Sequence, residues 1–264
     1  MKKVYVIFGG SGGMGFECAK LFGDGIVVIS DINEEALVKA KAELEALDIQ
    51  TYTHKCDITN EEDVREVANF ASSLGELGAV INSAGISAGG TNLPLIMKID
   101  YIGTAIILKE FLPYARPDMA VICLASMLGY RMPKNDEYDN LLRNWSAPDF
   151  MDKILVYFKD GGDAYAMAKH GVHLLCEEQA KAWGEKGARI ISVSPGVIET
   201  AMAKESSDEV LDHLRQMTPL KRNGQAQEVA NLIAFLCSDA TTFITGCDIR
   251  IDGGLINEIL KASK

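Results

Sequence analysis

The sequence predicts an α/β architecture: a doubly wound, seven-stranded parallel sheet with helices on both faces. Three observations carry that prediction. Short apolar runs alternate with longer segments of helical period along the chain. The first run leads straight into a glycine-rich turn that opens a helix. No composition break, internal repeat or Pro/Ser-rich linker interrupts the 264 residues, so residues 1–264 read as a single domain. Strands separated by helices pair in parallel through right-handed crossovers, which stacks helices on both sides of the sheet.

The expected strands are Val4–Phe8, Ile26–Ser30, Thr51–Cys56, Ala79–Asn82, Met119–Ala125, Arg189–Ser194 and Asp248–Ile251, each an apolar run of strand length. Helical period fills residues 13–23, 34–47, 61–74, 95–112, 163–186 and 226–238. Two segments break the alternation. Residues 131–161 mix charges with Trp145, Phe150, Tyr157 and Phe158, and residues 201–218 carry Met202, Leu211, Leu214 and Met217 at roughly helical spacing. Both are expected on the ligand-binding rim of the sheet.

With 26 basic against 37 acidic residues the chain carries −11, which argues against nucleic acid, anionic membrane surfaces and acidic proteins as partners. The cysteines (Cys18, Cys56, Cys123, Cys176, Cys237, Cys247) lie in or beside apolar segments without zinc spacing, as reduced thiols would. Val4–Phe8 is too short for a secretory signal, and no 18-residue apolar span occurs. A cytoplasmic chain without a membrane anchor is expected. His170 and His173 share a helix but lack a third ligand, so no metal site is expected; His54 and His213 have no evident partners.

Phe8-Gly9-Gly10-Ser11-Gly12-Gly13-Met14-Gly15 lets backbone approach a pyrophosphate at a helix N-terminus. No Gly-Lys-Ser/Thr follows, which excludes a triphosphate P-loop. Asp31 closes the second strand; its carboxylate would accept both hydroxyls of an adenosine ribose and repel a 2′-phosphate, favouring NAD(H) over NADP(H). Capping of the helix near Asn33 is a compatible role. Asp57, in Cys56-Asp57-Ile58, would bond an adenine amino group or cap the next helix. Asn82-Ser83-Ala84-Gly85, Ser126-Met127-Leu128-Gly129 and Ser194-Pro195-Gly196-Val197-Ile198-Glu199-Thr200 end later strands on the same edge, where open α/β sheets bind ligands.

Tyr165 and Lys169 lie four apart on one helix face. A cation about 4 Å from a phenol, at an effective dielectric near 20, favours phenolate by up to ~4 kcal/mol. That is about 3 pKa units, enough to bring the tyrosine into working range for proton exchange with an alcohol.

Together these stretches, with Pro219–Gly224, Thr245-Gly246 and Asp252-Gly253-Gly254, resemble the short-chain dehydrogenase/reductase family over nearly the full chain. The resemblance implies a Rossmann-type fold and an NAD-dependent oxidoreductase acting on CH–OH groups. Ser126 would polarise the substrate oxygen, Tyr165 exchange the proton, and Lys169 tune the tyrosine and hold the nicotinamide ribose. Cofactor contacts are implied for Gly9, Ser11, Gly12, Gly13, Met14, Gly15, Asp31, Ile32, Asp57, Ile58, Asn82, Ser83, Ala84, Gly85, Tyr165, Lys169, Pro195, Gly196, Ile198 and Thr200. Ile198 and Thr200 match positions that hold the nicotinamide carboxamide and the phosphates.

Three residues depart from the pattern: Phe8 for threonine, Ser83 for asparagine, and Asp100 for the asparagine whose main-chain carbonyl anchors a water to the lysine. Asp100 is expected to keep the carbonyl role while adding negative charge. Ser126 and Tyr165 are 39 apart, which implies an insertion of roughly 25 residues beside the catalytic edge. It would form short helices that cover an apolar ligand, or a subunit contact, since the helices at 95–112 and 163–186 often form the family's dimer face.

A similar insertion in a subgroup with bacterial hydroxysteroid dehydrogenases points to a steroid or bile-acid alcohol or ketone. Met132, Met151, Met202 and Met217 suit an apolar rim. A homodimer or homotetramer is expected. The alternatives are a 3-oxoacyl-carrier-protein or other small-carbonyl reductase, and a non-catalytic NAD-binding regulator.

Overall fold

The computed structural model describes residues 2–87, 89, 91–200 and 207–262. In chain order the elements are β1 (Lys3–Phe8), α1 (Gly13–Ala19), β2 (Ile26–Asp31), α2 (Glu34–Glu45), β3 (Gln50–Lys55), α3 (Glu61–Leu74), β4 (Glu76–Asn82), α4 (Leu93–Met97) and α5 (Thr104–Phe111). There follow β5 (Ala120–Leu124), α6 (Asp136–Arg143), α7 (Phe150–Ile154), α8 (Gly161–Gly184), β6 (Arg189–Pro195), β7 (Ile198–Glu199), α9 (Asp208–Met217), β8 (Gly224–Gln225), α10 (Ala226–Leu236), β9 (Cys247–Ile251) and α11 (Leu255–Ala262).

Seven strands form one parallel sheet in the order β3-β2-β1-β4-β5-β6-β9. The winding reverses between β1 and β4, which pair as far as Phe8 opposite Asn82. Their C-terminal ends therefore open a crevice at the switch point. Alternation within the apolar strands feeds two cores. Val4, Val6 and Phe8 of β1 join residues such as Val64 and Val67 of α3, Ile107 of α5 and Val172 of α8, while Tyr5 and Ile7 join Leu37 of α2 and Val229 and Ile233 of α10. β7 and β8 make a separate two-stranded ladder whose two-residue length carries no sequence signal.

The expected helix 95–112 is divided. A π-helical turn, Lys98–Gly103, separates α4 from α5 and brings Asp100, Tyr101, Gly103 and Thr104 inside. Such turns interrupt the i→i−4 ladder and occur often at functional sites.

The insertion packs against the helices and not over the crevice at the switch point. Tyr138, Leu142, Phe150 and Ile154 are buried in the same core cluster as Tyr101 and Met167. The Tyr101 hydroxyl donates to the Leu142 carbonyl, and a Cβ on Gly171 would stand 3.2 Å from Leu142. Asp139 and Arg143 of α6 reach His170 (2.7 Å) and Glu178 (2.8 Å) of α8. Met132 and Met151 pack against this core cluster and Met217 against a smaller one around Met127, Leu255 and Ile256; Met202 and the start of the expected rim segment, 201–206, lie outside the described residues.

Candidate active site

The first wall of the crevice is the turn after β1. Gly9 has φ +68°, and a Cβ there would fall 2.6 Å from the Ala84 amide nitrogen, so only glycine lets the turn lie against the end of β4. Gly15 is equally constrained, 2.3 Å from the Gly9 carbonyl oxygen and Ser83 Oγ by the same construction, and serves the turn's packing. Gly12 and Gly13 meet almost nothing and leave the start of α1 bare toward the crevice.

The crevice encloses about 360 Å³ and is lined by Gly9, Ser11, Gly12, Gly13 and Met14, by Ser30, Asp31 and Ile32, by Cys56, Asp57 and Ile58, by Ser83 to Ile86, and by Ile99 and Thr200. Ser30, Cys56, Ile86 and Ile99 are additions to the sequence-derived set; Ser30 and Cys56 lie at the C-terminal ends of β2 and β3, beside Asp31 and Asp57. Asp31 stands at the end of β2 with Oδ2 accepting from Ser11 Oγ (2.6 Å) and Oδ1 from the Asn33 amide (3.1 Å). Asn33, not Asp31, caps α2, accepting from Ala36 N. Asp57 does not cap α3 either: Asn60 does, while Asp57 Oδ1 accepts from Thr59 N and Oγ1 (2.9 and 2.8 Å).

Other expected contacts fall elsewhere. Asn82 is buried, donating to Thr104 Oγ1 (2.9 Å) and accepting from Ala84 N (3.2 Å), which fixes the bend after β4. Gly196 and Ile198 line a second, smaller cavity with Arg222 and Glu228, and Pro195 ends β6 opposite Ile251.

Ser126, Tyr165, Lys169 and Asp100 converge beside Gly85. Ser126 follows β5 in extended conformation and accepts from Leu128 N (3.2 Å), and its hydroxyl lies near enough to the Tyr165 phenol to favour the ionised form slightly. Lys169 Nζ lies 5.4 Å from the Tyr165 ring centroid, donates to the Leu124 carbonyl (3.2 Å), and pairs with Asp100 Oδ1 at 3.0 Å. Asp100 also accepts from Ile86 N at 3.3 and 3.4 Å. Its main-chain carbonyl accepts from Thr104 Oγ1 (3.2 Å), and the carboxylate meets the lysine directly.

This changes the electrostatics expected from the sequence. The Tyr165 phenol is pushed above its ordinary value, not below it: burial dominates, the Lys169 charge only offsets it, and Asp100 adds to the rise. Burial also lifts the Asp100 carboxyl, against the pull of Lys169. Lys169 ends above its usual range because Asp100 and Tyr165 outweigh the largest single influence, burial, which pulls it down.

One turn further along α8, His173 Nε2 meets Ser194 Oγ (2.8 Å) and Asp248 Oδ1 (3.4 Å). Asp248 also accepts from Ser192, Ser194 and Tyr130, tying the turn after Ser126 to β6 and β9. Burial pushes His173 from 6.5 down to about 4, so it is neutral in the fold. The unfolded chain then protonates first as pH falls, and stability present above pH 6.5 is lost progressively toward pH 4. The loss attributable to this residue is at most about 3 kcal/mol. His173→Gln is expected to flatten that part of the pH dependence in urea unfolding; an unchanged slope would count against a neutral buried imidazole.

Among the described residues no group of three or more His, Cys, Asp or Glu is disposed to hold a metal ion, no helix is long and apolar enough to cross a membrane, and all six cysteines are free. His54 does find a partner, the Lys55 carbonyl at 3.0 Å.

Comparison with known proteins fits this geometry. Residues 3–138 match the family model described as short chain dehydrogenase, and residues 154–256 match one described as Enoyl-(Acyl carrier protein) reductase. Residues 139–153, which neither match covers, lie within the insertion. The chain is 30% identical to the 7alpha-hydroxysteroid dehydrogenase of Escherichia coli K12, over 97% of this chain and 95% of that protein. It is 28% identical to a short-chain dehydrogenase/reductase of Alternaria brassicicola, over 97% of both. A solved short-chain dehydrogenase/reductase from Brucella melitensis superimposes with a TM-score of 0.80 at 27% identity, over 96% of each chain.

Proposed function

Because the chain belongs to the short-chain dehydrogenase/reductase family of oxidoreductases, we propose that it interconverts a secondary alcohol and a ketone with NAD(H), on a hydroxysteroid or bile acid. The observation that carries the reading is the convergence of Ser126, Tyr165 and Lys169 beside the glycine-walled crevice.

The crevice suits a dinucleotide: its volume is in the range of cofactor sites, bare glycines line one wall, and a carboxylate stands at its far end. Gly9, Ser11, Gly12, Gly13, Met14 and Thr200 would hold the phosphates, Asp31 and Ile32 the adenosine ribose, Asp57 and Ile58 the adenine, and Ser83 to Gly85 with Lys169 the nicotinamide half. The bound nicotinamide supplies or accepts the hydride. Ser126 and Tyr165 direct two hydroxyls at the substrate oxygen, where negative charge develops. Tyr165 carries the proton, and Lys169 holds a positive charge beside it.

Asp31, fixed by Ser11 and Asn33, keeps lone pairs free for a ribose diol and opposes a phosphate there. Asp31→Ala is expected to weaken NADH binding about 10- to 100-fold, as loss of hydrogen bonds to a charged group would, with a smaller effect on NADPH. Fluorescence titration with both nucleotides checks this, and an equal loss for both would oppose the assignment.

For the substrate, Leu128, Val197, Leu214 and Met217 pack around Met127 on the serine's turn and form an apolar border. The Escherichia coli relative supports a steroid. A screen of steroid and bile-acid alcohols with NAD, followed by nicotinamide absorbance, tests the reading. No steroid affinity beside good turnover of a small polar alcohol would reject it.

The free thiols support a cytoplasmic location. A homodimer or homotetramer is part of the same proposal. With α6 seated on α8, its contact would include the insertion or lie elsewhere, and light scattering reads the state.

A further inference from the structure

The ammonium beside Tyr165 is not a free charge. Asp100 lies 3.0 Å from Lys169 Nζ, with its side chain wholly out of solvent and that of the lysine 5% exposed. Gly85 passes so closely that a Cβ there would stand 2.4 Å from Asp100 Oδ1 and 3.5 Å from Lys169 Nζ, so only bare backbone fits against the pair.

Counting charge decides which protonation state of Tyr165 this pocket prefers. With Asp100 ionised and Lys169 protonated, the buried pair is neutral while the half-buried phenol beside it keeps its proton. Ionising the phenol leaves the trio with a net negative charge. Were residue 100 an amide, the trio would be cationic with the phenol intact and would reach neutrality by ionising it. Uncompensated buried charge is costly, so the carboxylate opposes phenolate where an amide would favour it.

Among the described residues no other group facing the cluster reverses that count. On α8 the next turn offers His173, neutral in the fold. β5 offers the buried Cys123 thiol. Asp248 of β9 is engaged by two serines and Tyr130, and Asp139 of α6 by His170. Residues 83–87 carry no ionisable side chain.

We propose that Asp100 cancels the charge of Lys169 and so holds the proton on Tyr165 at neutral pH, which rests the free site in the form that gives a proton to a carbonyl. In that direction the carbonyl carbon accepts a hydride with its electron pair from the reduced nicotinamide. The C=O π pair moves onto oxygen, that oxygen takes the Tyr165 proton, and the phenolate is reprotonated from solvent. Asp100 is a positioning residue acting through Lys169, and the inference rests on Tyr165 being the proton carrier proposed above.

The test is Asp100→Asn, read in two ways. Phenolate ultraviolet absorbance of the protein alone, with each Tyr165→Phe counterpart subtracted, is expected to show Tyr165 titrating about one to two pH units lower in the variant. The pH profile of alcohol oxidation is expected to shift its limb to lower pH by the same amount. Asp100→Glu, which keeps the charge, is expected to return the limb toward wild type, and Asp100→Ser serves as the neutral variant if the amide fails to fold. An unchanged Tyr165 titration in a folded neutral variant overturns the proposal. Because that titration needs no substrate, a shifted titration without turnover of any alcohol or ketone rejects the functional reading and supports the role of Asp100.

Discussion

Tyr165→Phe is expected to lower turnover about 10³-fold, within the span attributed to general acid–base catalysis, while NADH affinity and folding stability stay near wild type. The hydroxyl is the only part removed. The ring keeps its place 5.4 Å from the Lys169 ammonium, and Ser126 keeps its bond from Leu128 N. No neighbour inherits the proton. Lys169 is committed to Asp100 and the Leu124 carbonyl, His173 faces Ser194 and Asp248, and a serine hydroxyl ionises far too weakly to act alone. Single-turnover kinetics with a saturating ketone separates loss of chemistry from loss of binding. A rate within tenfold of wild type would show that another group moves the proton.

The parts of the site that were legible in the sequence are those set by local geometry. The apolar run Val4–Phe8 followed at once by glycines requires a strand entering a tight turn, and four-residue spacing on a helix requires Tyr165 and Lys169 to share a face. Asn33 and Asn60 cap α2 and α3 in place of Asp31 and Asp57, which leaves the two carboxylates on the crevice. β4 starts earlier than its apolar run, since Glu76 and Gly78 hide a strand end that pairs with Lys3 and Val4.

What sequence could not supply is tertiary. The period of Tyr138, Leu142, Phe150 and Ile154 announces short helices, but nothing local says that they turn toward Tyr101 and α8 instead of over a ligand. The π-helical turn lies within an otherwise helical run. The sign of the shift at Tyr165 depends on burial and on Asp100, which is 65 residues away in the chain and 3.0 Å from Lys169 in the fold.

That separation makes the ion pair itself the next test. Lys169→Met is expected to cost about 3–5 kcal/mol of stability, because it leaves a buried carboxylate without its cation. Asp100 would retain only the long contacts from Ile86 N, and the Leu124 carbonyl would lose the lysine donor. The double variant, Asp100→Asn with Lys169→Met, is expected to recover most of the loss, since no charge then remains to be compensated. The cycle of four proteins gives the coupling directly. Its pH dependence has a definite sign. Asp100 already sits above its ordinary value through burial, and removing the cation raises it further, so the single variant folds with more protons bound than its unfolded chain. Its deficit is therefore largest above the raised folded-state pKa and shrinks as pH falls through it, as the carboxyl becomes neutral. Urea unfolding at neutral and mildly acidic pH reads both effects. A Lys169→Met protein with the wild-type midpoint at neutral pH would mean that Asp100 is already protonated in the native fold, and the charge count around Tyr165 would fail with it.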